Sequence, residues 1–149
     1  MQIRDLTPSE VTELLDRAHL GRLACACNGQ PHIAPLSFVH EKGSLFAFST
    51  LGRKISWMRE NPLVCVEFEE VHSRQSWSVV LVEGRYEELP DASDPASARA
   101  FSLLAKQPMW WEPGYVRTQM SGGVRSLEPV YFRIAIQEAK GRCSLADHF

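Results

Sequence analysis

A chain of 149 residues is long enough for one domain with its own core and too short for two comfortable ones. With 44% apolar and 23% charged residues it has the composition of an ordinary globular domain, and its formal charge of −2 leaves no broad basic surface for nucleic acid. No apolar run approaches a membrane span, and the opening residues, with Arg4, Asp5, Glu10 and Glu13, lack the apolar core of a signal peptide; a cytoplasmic protein with no membrane partner is expected. Cys25, Cys27, Cys65 and Cys143 form no C-x-x-C pair. They read as small core residues in a reducing compartment, so neither a disulfide nor a metal site is expected.

In chain order, Thr7-Pro8-Ser9-Glu10 is a capping box, and Val11, Leu14, Leu15 and Ala18 follow at helical spacing, predicting a helix over 8–18. From Leu20 the period becomes two. Gly21 to Cys27 predicts a strand, Asn28-Gly29 a tight turn, and His32 to His40 the partner strand. Glu41-Lys42-Gly43 turns into a strand over 44–49, making a three-stranded meander. A short helix over 52–60 ends at Asn61-Pro62, and Leu63 to Glu69 is again a strand. Residues 70–76 read as a polar loop before a long strand from Trp77 to Leu89. Val79 and Leu81 on one face of that strand and Val80 and Val82 on the other predict burial on both sides. Gly84 within it marks a bulge or bend.

Ser93-Asp94-Pro95 opens a third helix with Ala98, Phe101, Leu104 and Ala105 as its apolar stripe, stopped by Pro108. Met109 to Tyr115 is an aromatic loop, and Ser121-Gly122-Gly123 reads as another loop. Val130 to Gln137 alternates as a last strand, with Val130, Phe132, Ile134 and Ile136 inward. The whole predicts a mainly β single domain with inserted helices, in which about six antiparallel strands with Greek-key-like connections close a small sheet.

One stretch carries more chemistry than the rest. Ser49 and Thr50 end a strand, Gly52 turns the chain, and Arg53 and Lys54 open a helix. Hydroxyls, free backbone N–H groups and two cations at a helix start suit a phosphate monoester. The alternative is a pair of solvated cations beside a turn, since the glycine spacing of a Walker loop is absent.

These elements in this order resemble the pyridoxamine 5′-phosphate oxidase-like family, the FMN-binding split β-barrels, and within it the branch of nitroimidazole-resistance-type and general FMN-binding proteins. The likeness lies in Gly21-Arg22-Leu23-Ala24, in Gln30 to Phe38, in Phe48 to Lys54, in Asn61 to Phe68 and in Ser76 to Gly84, with a weaker match over Tyr131 to Arg142. It implies an FMN-phosphate clamp at Ser49, Thr50, Arg53 and Lys54. It implies that Ile33, Ala34, Pro35, Leu36 and Ser37 line the flavin ring and that Trp77, Ser78 and Val79 reach its pyrimidine side. It also implies a homodimer with two flavins across the interface, to which Trp110, Trp111 and Arg142 are candidate contributions. The paired tryptophans read more readily as interface than as a stacking platform.

The resemblance thus implies an FMN-dependent oxidoreductase that takes electrons from reduced nicotinamide or another donor to a small-molecule acceptor. The alternatives are a non-catalytic flavin- or haem-binding module, with His72 or His148 as haem ligand, and a deazaflavin-dependent reductase. Classical pyridoxamine phosphate oxidation is not expected. The vitamin-B6 oxidases carry Arg where this chain has His32 and, in a gapless alignment, Lys where it has Ser37. No catalytic side chain is evident, as expected where a flavin carries the redox chemistry.

Overall fold

The structure, a computed structural model, describes residues 1–90, 93–106, 117–120, 123–126 and 129–145. Strand β1 (Gln2–Asp5) leads into helix α1 (Pro8–Arg17) through the expected capping box: the Glu10 N–H donates to Thr7 Oγ1 at 3.2 Å, and the Thr7 N–H to the Glu10 carboxylate at 3.0 Å. Val11, Leu14 and Leu15 form the buried stripe of α1. Strands β2 (Leu20–Cys27) and β3 (Gln30–Ser37) pair through Asn28-Gly29, whose φ values of 50° and 77° are those of a two-residue hairpin turn. Lys42-Gly43 makes the same turn between β4 (Val39–Glu41) and β5 (Ser44–Thr50).

The strand predicted over 32–40 is therefore broken, and the meander does not form. Phe38 makes the break: its N–H donates to the His19 carbonyl at 2.7 Å, and its ring enters the core edge-on to Phe68, 5.8 Å away. Helix α2 (Arg53–Glu60) follows, then β6 (Leu63–Ser73), β7 (Ser76–Glu88), α3 (Pro95–Ala105), β8 (Arg117–Met120), β9 (Gly123–Ser126) and β10 (Pro129–Leu145). The main sheet runs β3-β2-β6-β7-β10-β5-β4, all antiparallel, with β1 added to the far end of β10. Its two edges, β3 and β4, are joined in the chain by Phe38 alone. The sheet therefore curls into a barrel whose seam is crossed by covalent chain and not by a hydrogen-bond ladder. Leu23, Leu36, Phe68, Val66, Val80, Val82, Phe132 and Ile134 fill the interior with the buried faces of α1 and α2.

Several expectations are corrected. Strand β6 continues through the stretch read as a polar loop, because Glu70 and Val71 stay in register with Ser78 and Trp77. Strand β7 buries only one side: Val80 and Val82 are enclosed, while Leu81 keeps 41% of its surface. Helix α3 packs on the outer face of β4 and β5 through Ser97, Ala100 and Leu104, with Ala98 exposed. Ser97 can be buried because its hydroxyl donates to the Pro90 carbonyl at 2.6 Å. Strands β1, β8 and β9 were not foreseen, and the strand predicted over 32–40 is two, so the described residues hold ten strands where six were expected. Pro108 and the loop predicted over 109–115 lie outside the described residues, as do Ser121 and Gly122. Among the described residues no helix is long and apolar enough to cross a membrane.

Strand β10 does not stop at Gln137 but continues across a bulge between Ile136 and Glu138. The bulge lies opposite Gly84, where a Cβ would come 2.6 Å from the Ala135 carbonyl oxygen and 2.6 Å from Ile134 Cγ2. Backbone cannot yield as a flexible side chain can. Gly84→Ala should therefore lose about 1–3 kcal/mol of stability, read as a lower denaturant midpoint at unchanged slope.

Candidate functional site

Helix α2 is fixed firmly enough to serve as a platform. Ile55 and Met58 are fully buried, the Asn61 side chain donates to the Ala26 carbonyl at 3.0 Å, and the Cys27 thiol donates to Glu60 at 2.9 Å. Its C-terminal end is thereby tied to β2. Its first turn is left open. Gly52 at the N-cap supplies no side-chain hydrogen bond, the first turn holds no acidic residue, and a Cβ at Gly52 would meet nothing nearer than 3.9 Å. Orphan N–H groups and the positive end of the helix dipole therefore face outward together.

The two cations of the turn diverge. Lys54 turns inward and is half-buried; desolvation by burial pushes its pKa below the usual lysine value, opposed only by the neighbouring Cys25 thiol. It makes no ion pair among the described residues, whereas Arg17, Arg22, Arg59, Arg99 and Arg133 each hold a carboxylate within 3.0 Å. Arg53 lies exposed along the helix, with Cζ over the Trp57 ring at 5.5 Å from its centroid. Thr50 is partly exposed. Ser49 is fully buried, its hydroxyl making only a marginal 3.5 Å contact to the Thr50 carbonyl.

Strand β3 stands at the sheet edge, and its prolines settle which groups face outward. Pro31 and Pro35 cannot donate to β2, so the ladder falls to His32, Ala34 and Leu36, opposite Cys25, Leu23 and Gly21. By alternation the N–H groups of Ile33 and Ser37 face the open edge. Ile33 is 64% exposed, whereas Leu36 and the side chain of Ser37 are buried. An uncovered strand edge with donors and acceptors at fixed spacing can bind a planar heteroaromatic ring.

The remaining predicted residues lie elsewhere. On β10, Val130 pairs with Ser49 and Arg142 with Val79, so the turn after Ser49 and the Trp77–Val79 strand stand twelve residues apart along one strand, about 40 Å of strand path. Trp77, Val79 and Arg142 line an open cleft of about 1420 Å³ whose far wall includes Val11 and Leu15 of α1. The cleft exists because the β5 side leaves β10 after Ile136 and the β1 side rejoins it only at Gly141, so β10 lacks a strand partner on that flank from Gln137 to Lys140. Arg142 reaches Asp5 at 3.4 Å, both groups exposed. Trp110, Trp111 and His148 lie outside the described residues, and His72 is exposed beside Glu70.

Comparison with known proteins bears on this arrangement. Residues 7–143 match the pyridoxamine 5′-phosphate oxidase family. The chain belongs to that family. An uncharacterized protein of Rhizobium meliloti (strain 1021) is 36% identical over 148 residues, with 98% of each chain covered. The crystal structure of a FAD-binding protein from Mesorhizobium loti is 38% identical, superposes with a TM-score of 0.79 and covers 98% of this chain and 99% of that one. A FAD binding protein from Mycobacterium smegmatis shares the fold at 20% identity and a TM-score of 0.67, over 96% of this chain and all of that one. The fold is the split β-barrel expected of the family.

In this family member, the two positions that depart from the vitamin-B6 oxidases carry no Arg or Lys side chain. The His32 ring packs edge-on against Trp57 at 5.8 Å, and Ser37 is buried. Sequence reasoning missed His32 and Trp57 as neighbours of the turn. The four-residue step from Arg53 to Trp57 was a legible helical signal; the contact with His32 joins distant segments and had none.

An unpaired, desolvated cation costs stability. Lys54→Met keeps the apolar stem and removes the charge. The flavin-free variant should gain roughly 0.5–2 kcal/mol near neutral pH. Because the folded-state pKa is lowered, the unfolded chain binds more protons between that value and 10.5, so wild-type stability rises with pH there. The advantage of the variant should shrink across that window in denaturation curves taken at increasing pH.

Proposed function

We propose that this chain is a flavoprotein that binds flavin non-covalently through its FMN unit, as an oxidoreductase passing electrons from reduced nicotinamide or another donor to a small-molecule acceptor. The observation that carries the reading is Lys54: a half-buried cation without a carboxylate partner among the described residues, behind a helix start with no cap and no acid in its first turn. A dianionic phosphate supplies the charge that the protein withholds. Membership of the family and the likeness to a FAD-binding protein at 38% identity support a flavin as its bearer.

The phosphate would lie against Thr50 and the first N–H groups of α2, with Lys54 as its counter-charge. The open edge of β3 offers the Ile33 N–H and neighbouring carbonyls to the polar edge of the ring. Bound flavin supplies reversible one- and two-electron chemistry. The chain's own part is to bind, orient and shield it, a role that needs no acid–base pair.

The separation of the two residue groups favours a homodimer. A flavin held at the turn lies at the far end of the barrel from its own chain's Trp77, Val79 and Arg142. A second copy related by a twofold axis can bring those residues to it and receive the same in return. The cleft beside Trp77 and the exposed Leu81 would then be covered by the partner.

Purified protein should be yellow and release its flavin on denaturation; a colourless protein that takes up neither FMN nor FAD would refute the proposal. Gly52→Asp has room for its side chain and would place a carboxylate over the open N–H groups. It should retain the fold yet lose flavin binding, through self-capping and pairing with Lys54. Lys54→Met should weaken binding by about 10- to 150-fold, the worth of one charge-assisted hydrogen bond. Affinity in the wild type should fall as pH rises through the lowered lysine pKa. Light scattering should give twice the chain mass, with flavin raising the melting temperature.

A further inference from the structure

We propose that Arg53, Trp57 and His32 form a stacking shelf for the adenine of FAD, so that the preferred flavin extends beyond the FMN unit. The inference rests on the flavin reading above and concerns what lies past the phosphate. Trp57 is half-buried and packs partly against the core. Arg53 lies over its ring at 5.5 Å, and His32 closes on it edge-on at 5.8 Å with planes inclined by 70°. The indole is thus held from two sides, and the exposed Arg53 forms the outer layer.

Arg53 is set apart from most arginines of this protein. Arg4, Arg17, Arg22, Arg59, Arg99 and Arg133 are each engaged by a carboxylate, whereas Arg53 makes no ion pair among the described residues. A guanidinium resting on an aromatic ring, with its positive charge uncompensated, is suited to stack a nucleobase and to neutralise a phosphate beside it. Its place matches that double task. Arg53 is the first residue of α2, so its backbone belongs to the open helix start, while its side chain runs one turn along the helix to Trp57, about 5.4 Å on. FAD differs from FMN by an adenylate joined through a second phosphate. That phosphate would fall beside the Arg53 charge, and the base, one ribose further, beside the shelf. A phosphate monoester alone would not reach Trp57 or His32.

The test is to titrate the flavin-free protein with FMN and with FAD. Wild type should bind FAD between about fivefold and a hundredfold more tightly than FMN, the range for stacking one base. In Trp57→Leu, shown to be folded by its circular dichroism and cooperative melting, that ratio should collapse toward one. FMN binding with FAD no tighter in wild type would overturn the shelf and leave the flavin reading standing. A ratio preserved in Trp57→Leu would do the same. Uptake of neither flavin by wild type would sink the flavin reading itself. If Trp57→Leu fails to fold, the wild-type ratio alone decides.

Discussion

Strand β10 is the constraint on which the barrel depends. It pairs with β7 along most of its length, with β5 over its first half and with β1 at its end. One strand thereby holds the two halves of the sheet together, and its bulge opposite Gly84 supplies the bend that lets the sheet curl. Because β5 and β1 do not meet, the same strand leaves an opening on one flank. The cleft beside Trp77 and α1 follows from that geometry.

The second seam has a different cause. Beta strands three and four are the sheet edges, yet only Phe38 separates them in sequence. Burying that ring against Phe68 draws the edges toward each other without a ladder between them. Pro31 and Pro35 keep the free edge of β3 from pairing with another chain in register. An edge protected in this way can stay open for a ligand.

Charge placement separates structure from site. Most arginines are neutralised in pairs that link distant elements: Arg17 of α1 to Glu70 of β6, Arg59 of α2 to Glu88 of β7, Arg99 of α3 to Glu41 of β4. These exposed pairs add little stability individually. They make Lys54 conspicuous, since it is more buried than they are and has no such partner among the described residues. A protein that tolerates an uncompensated cation in its interior margin pays for it in stability unless something else supplies the charge.

Much of this was legible locally. The capping box at Thr7, the turns at Asn28-Gly29 and Lys42-Gly43, the alternation from Phe132 to Ile136 and the open helix start at Gly52 are short-range patterns, and each formed as read. The same cues failed where long-range pairing decided. The break at Phe38 follows from the ring's place in the core, and the extension of β6 past Glu69 from its partner β7. The continuation of β10 beyond Gln137 needed a bulge that no alternation announces. Sequence by itself determined the helices, most of the strands, the family and the uncapped helix start after Gly52, because hydrogen bonding within a few residues sets helix starts and tight turns. Tertiary structure alone decided that Lys54 is desolvated while Arg53 rests on Trp57, and that Trp77 and Arg142 stand far from the turn. Burial and strand register depend on which distant segments meet, and that information is not carried by any one stretch of the chain.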